Sequence, residues 1–200
     1  RNCVYVCSCM CADNLDVLNP VTPSDLSPDQ RDRVLEYLMF LKEKRCGKIK
    51  GRGCADGRPQ RMWTNREDSN SPTVNLNALF ITAVIDAMEG RSAATVDVPG
   101  AFLQTEQDEL VHVRLRDDMA RILSMIDKDK YSTKMVYEQG KPVLYASLNK
   151  ALYGTLRAAL QFYNKLVGQL KEWGFELNPY DRCVANKMIN GKQCTIVWHV

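Results

Sequence analysis

The dipeptide Asn190-Gly191, set between two apolar runs near the end of the chain, constrains the fold more tightly than any other pair in it. Both residues accept positive φ, which a two-residue turn matching the twist of its strands requires, so the chain ends in two antiparallel strands. A second such turn is predicted at Gln139-Gly140, and a third at Asp56-Gly57, within a basic β-hairpin from Lys48 to Trp63. Between the turns lie helical stripes. Ser27, Pro28 and Gln30 fit a capping box, and Val34, Leu35, Leu38, Met39 and Leu41 continue it as a helix ending near Gly47. Leu76, Leu79, Phe80, Ala83, Val84, Ala87 and Met88 form the next stripe, closed by Gly90. Leu160, Tyr163, Leu166, Val167, Leu170 and Trp173 form a long one, closed by Gly174. Strands are expected at Ala93 to Val98 and around Leu110 to Leu115, with a short helix near Met119 to Ile126. Cys3 to Thr22 shows no sustained period and reads as a linker. Hairpins alternating with helices, without regular βαβ units, predict an α+β fold with helices on one face of a mainly antiparallel sheet.

The 200 residues are 45% hydrophobic and 26% charged, enough for one sizeable core or two small ones. No run of about 18 apolar residues and no secretory leader occurs, which points to an intracellular protein, cytoplasmic or nuclear, with no membrane partner. The first residue is Arg1, and the last run, Thr195 to Val200, stops where a core strand normally continues, so both ends are expected to be cut. A net charge of +3 decides nothing alone, but Lys42, Lys44, Arg45, Lys48, Lys50, Arg52, Arg58, Arg61 and Arg66 crowd one region. That is either a phosphate-binding surface or a solvated helix end and turn. Of the eight cysteines, Cys3, Cys7, Cys9 and Cys11 leave a zinc-dependent interaction module open as a rival, although paired Cys-x-x-Cys knuckles are missing. Cys46, Cys54, Cys183 and Cys194 read as structural thiols.

Asp97 is the first candidate for chemistry. Ala94-Thr95-Val96 places it at the end of the expected strand, where Pro99-Gly100 stops the ladder and exposes backbone N–H groups. Magnesium takes hard oxygen ligands and is commonly held by one or two carboxylates plus substrate phosphates, so Asp97 beside free amides makes half a site. An aspartate capping a turn has the same signature.

Asp97-Val98-Pro99-Gly100-Ala101-Phe102-Leu103 resembles the motif of copia-like retrotransposon reverse transcriptases in which an aspartate precedes an Ala-Phe pair. Lys48 to Gly53 with Asp56-Gly57 resembles the family's basic fingers hairpin, and Ser71 to Val74 its Ser-Pro motif. Leu148 to Gly154 is similar to its Leu-Tyr-Gly motif, followed by a long helix, Gly174-Phe175, and Asp181 with Cys183. The likeness covers about three quarters of the 200 residues. Thr155 to Ala159 departs from the family's Gln-Ala-Pro-Arg segment, and the Val-Asp-Asp strand expected after Trp198-His199-Val200 is not in the chain.

The resemblance implies fingers and a partial palm of a right-hand polymerase. Residues 1–23 would be an extension, 24–92 the helix and basic hairpin of the fingers, and 93–200 the palm core with a second fingers segment. The implied activity is RNA-directed DNA synthesis through two metals, Mg²⁺ with Mn²⁺ as substitute, roughly 3.5–4 Å apart. Asp97 and the backbone of Val98 would hold metal. Lys50, Arg52 and the amides of Gly100 and Ala101 would meet the triphosphate, Phe102 would exclude a 2′ hydroxyl, and Tyr153 with Gly154 would contact template-primer. Partners would be an RNA template, a DNA primer, deoxynucleoside triphosphates, and integrase, RNase H and protease domains of a Pol polyprotein. The alternative within this reading is a decayed copy that binds nucleic acid without chemistry.

Overall fold

A computed structural model describes residues 16–47 and 49–200, and it bears out the α+β reading with a mainly antiparallel main sheet. In chain order the elements are β1 (Leu18–Val21), α1 (Pro28–Asp32), β2 (Leu35–Glu43), β3 (Ile49–Ala55) and α2 (Leu76–Met88). Then come β4 (His112–Arg116), α3 (Asp118–Ile126), α4 (Lys128–Tyr131), β5 (Val136–Glu138) and β6 (Lys141–Leu148). The chain closes with α5 (Ala158–Glu172), β7 (Glu176–Leu177), β8 (Val184–Ile189) and β9 (Lys192–Val197). One sheet runs β1-β6-β4-β2-β3, with β5 also on β6, and a smaller sheet runs β7-β8-β9. Among the described residues the single parallel pairing is between β2 and β4, where Leu35 lies opposite Val113.

Alternation explains the main core. Val113 and Leu115 of β4 point inward while Arg114 and Arg116 point out, and the inner set meets Leu35, Leu144 and Ala146 from neighbouring strands and Leu123 from α3. A second core forms where Tyr163, Val167 and Leu170, spaced as one helical stripe on α5, meet Phe175, Cys183, Ala185 and Trp198. No helix among the described residues is long and apolar enough to cross a membrane.

Four expectations are corrected. The capping box is present, Ser27 Oγ accepting from Gln30 N and Gln30 Oε1 from Ser27 N, but the helix ends at Asp32 and the apolar stripe continues as strand β2. Leu35, Tyr37 and Met39 turn inward at period two, and pairing with β3 and β4 outweighs the helical spacing of the same residues. The basic hairpin therefore consists of β2 and β3 and turns near Gly47, at φ +75°, while Asp56-Gly57 leads into a 3₁₀ turn at Arg58–Met62. There the Arg58 guanidinium donates twice and its backbone N–H once to the Asp56 carboxylate, holding it down to about 2. Leu18–Val21, within the expected linker, is an edge strand on β6.

The fourth correction is Ala93 to Val98, which forms no strand. It faces the edge of β9 across a cleft lined by Ala93, Val96, Gln193 and Cys194, so no ladder joins the two, and Val96 is left 84% exposed. A β-prone sequence without a neighbour has nowhere to send its backbone hydrogen bonds.

His112 is buried at the start of β4, and burial pushes its imidazole below the ordinary 6.5. The unfolded chain therefore takes the proton first, and this contribution to stability is complete above the unfolded pKa and lost as pH falls below it. Melting temperature is expected to drop between about pH 7.5 and pH 5.5, and His112→Gln to flatten that stretch. Identical slopes for both proteins would contradict it.

Candidate functional site

Strand β3, the loop after Pro99-Gly100, and the segment before α5 bring their side chains to one place. The guanidinium carbon of Arg52 lies 5.3 Å from the ring centroid of Tyr153. On the Tyr153 ring packs Phe102, with centroids 4.5 Å apart and planes tilted by 32°, and Phe162 of α5 follows at 6.1 Å from Phe102. Burial raises the Tyr153 phenol, the Arg52 charge draws it back down, and the Asp97 carboxylate pushes it up. Asp97 is therefore close enough to act on this stack electrostatically, although it sits in an exposed irregular segment and not on a strand.

Backbone contact holds the assembly. Ala55 N–H donates to Tyr153 C=O at 2.7 Å, fastening the end of β3 to the segment that carries the tyrosine. Gly154 follows at φ +91°, with its α-carbon so close to β3 that a Cβ would stand 2.0 Å from the Ala55 carbonyl oxygen. Gly100, at φ +60°, makes the turn between Asp97 and Phe102, and Gln104 closes it by donating from Nε2 to Pro99 C=O at 2.9 Å. Lys165 of α5 donates to Gln104 C=O.

Of the residues singled out in the sequence, Arg52, Asp97, Phe102, Tyr153 and Gly154 thus belong to one neighbourhood, with Gly100 and Ala101 in its turn. Val98 is exposed beside Asp97, and Lys50 projects from the same face of β3 as Arg52, toward the hairpin tip. The basic residues from Lys42 to Arg66 are all exposed, apart from Lys48, which lies outside the described residues. So do Cys3, Cys7, Cys9 and Cys11. Arg157 donates to Asp108 at 2.7 Å and pairs with Glu109 at 3.4 Å, so its partners are internal.

Two supporting roles carried no local signal. Gln60 is buried in the 3₁₀ turn, where its Oε1 accepts from Leu156 N–H at 2.9 Å and ties the turn to the approach of α5. The role of Asp181 was equally hidden: Oδ2 accepts from Asn75 N–H and Oδ1 from Cys183 N–H, both at 2.8 Å, joining the start of α2 to the smaller sheet.

Among the described residues no three His, Cys, Asp or Glu side chains gather to hold a metal ion. Asp97 with neighbouring amides fits half of a divalent-ion site and does not fit a two-ion centre. Cationic side chains beside flat rings can pair with anions and stack on planar groups. No protein-family model, curated protein or solved structure matches the chain.

Proposed function

We propose that the chain comprises fingers and part of the palm of a copia-like reverse transcriptase, and that its residues bind template-primer and the incoming deoxynucleoside triphosphate. One observation carries this reading. Arg52, Phe102 and Tyr153, from three separate motifs of the resemblance, meet in a single stack with Asp97 in electrostatic reach. Lys50 and Arg52 would neutralise the triphosphate, the amides of Gly100 and Ala101 would donate to it, and Phe102 would stand against the sugar. Tyr153 and Gly154 would face the template and primer. The ion such transfer needs, magnesium or manganese, would be held at Asp97 only in part.

The 200-residue chain is accordingly expected to bind an RNA template annealed to a DNA primer but not to extend it. Fluorescence anisotropy checks the first half. Arg52→Ala should weaken binding about tenfold, since a hydrogen bond to a charged partner contributes ~1.5–3 kcal/mol. Wild-type protein that ignores template-primer at low salt refutes the reading, and magnesium-dependent extension by this chain refutes the expected inactivity. The same cations and rings would serve a second reading, a nucleic-acid-binding relic without chemistry. The two part when the next complementary deoxynucleoside triphosphate is added with magnesium: it tightens the complex of a polymerase site and leaves a relic unchanged.

A further inference from the structure

Directly opposed residues of an antiparallel ladder share a face, and the register of β2 on β3 sets Phe40 opposite Arg52 and Lys42 opposite Lys50. One side of the hairpin therefore carries an aromatic ring among three cations. Phe40 is 58% exposed there, and its charged neighbours are exposed as well. The opposite face is built differently. Tyr37 lies across Gly53 so closely that a Cβ on the glycine would fall 1.8 Å from the phenol oxygen. Glu36, at the base of the basic face, is neutralised by Arg114 and Arg116, and Glu43, the other carboxylate of β2, alternates to the opposite face.

A large ring kept in water beside cations suits a ligand that offers flat π-faces and regularly spaced negative charge together, which is an unpaired nucleotide strand. An apolar protein surface would bring nothing to match Lys42 and Lys50, and an acidic peptide would bring no ring faces. We propose that Phe40 stacks on an unpaired base of a single-stranded template while Lys42 and Lys50 hold the flanking phosphates. This rests on the nucleic-acid reading above and extends that surface outward. Arg52 links the two parts, because it opposes Phe40 across the ladder and lies over Tyr153. Successive bases would step from Phe40 at the hairpin toward Tyr153 and Phe102.

The test uses the whole chain and a short oligonucleotide carrying 2-aminopurine, whose fluorescence is quenched when it stacks. Wild-type protein should quench the probe, and Phe40→Leu should weaken binding about tenfold and abolish the quenching. Phe40→Trp should restore both, which a merely apolar role for the side chain would not require. Because Phe40 is exposed, these variants should melt at the wild-type temperature, and a Phe40→Leu protein that melts normally yet binds and quenches like wild type overturns the proposal. The wider reading fails in a different way. If wild type binds no oligonucleotide at low salt, both ideas fall; if it binds and Lys50→Ala weakens it while Phe40→Leu does not, only the stacking role is lost.

Discussion

Gly154→Ala is expected to lower the unfolding free energy by more than about 3 kcal/mol, through two separable effects. An alanine held at φ +91° is strained wherever it stands, and here its methyl group would also lie 2.0 Å from the Ala55 carbonyl oxygen. That oxygen belongs to backbone fixed by the Ala55 to Tyr153 hydrogen bond, so neither side can yield without opening the contact between β3 and the tyrosine segment. Two companion substitutions divide the effects. Gly57 has an ordinary φ of −78°, but its added Cβ would meet the Gly154 carbonyl oxygen at 2.1 Å, so Gly57→Ala reports collision alone. Gly140 sits at φ +77° with nothing within 4 Å, so Gly140→Ala reports backbone strain alone, about 1 kcal/mol. Urea unfolding of the three variants should rank Gly154→Ala as the most damaging and Gly140→Ala as the least. A Gly154→Ala protein as stable as Gly140→Ala would mean that β3 and the Tyr153 segment do not approach this closely, and the Arg52–Tyr153 contact would fall with them.

The second large effect is expected at Asp181. Its carboxylate is buried and accepts from the N–H groups of Asn75 and Cys183, so Asp181→Ala strands two backbone donors and unfastens α2 from the smaller sheet. The loss should be about 3 kcal/mol, since hydrogen bonds to a charged partner are stronger than neutral ones and a buried orphan donor adds its own cost. Asp181→Asn, which keeps one acceptor oxygen, should fall between the two. Faster hydrogen exchange at the Asn75 amide would locate the damage, and an unchanged melting temperature in Asp181→Ala would show that the junction does not depend on this carboxylate. The consequence reaches further than the capped turn. Helix α2 has no buried residue and leaves Phe80, Ile81, Val84 and Met88 exposed, so apolar packing holds it weakly and the Asn75–Asp181 contact matters more than it would under a tightly packed helix.

Local chemistry was enough to read much of this fold. Asn190-Gly191 and Gln139-Gly140 form the expected turns, each with both residues at positive φ, and Gly90 and Gly174 follow their helices at positive φ. These features depend on the backbone freedom of one or two residues and on a stripe one helix long. The sequence also singled out Asp97, by its place beside Pro99-Gly100, and Arg52, Phe102 and Tyr153, by resemblance.

What it did not determine depends on partners distant in the chain. Val34, Leu35, Leu38, Met39 and Leu41 satisfy a helical period, and only the ladders to β3 and β4 make Leu35–Glu43 a strand. Leu18–Val21 is too short to signal anything until β6 lies beside it, while Ala93 to Val98 signals a strand and finds no ladder. The site divides the same way. Residue identity carried the cations and rings, but their meeting, Arg52 over Tyr153 and Phe102 against it, was decided by the tertiary structure. A stacking distance is set by how β3, the Gly100 turn and the start of α5 are held together, and that depends on the closeness two glycines permit and on hydrogen bonds spanning scores of residues.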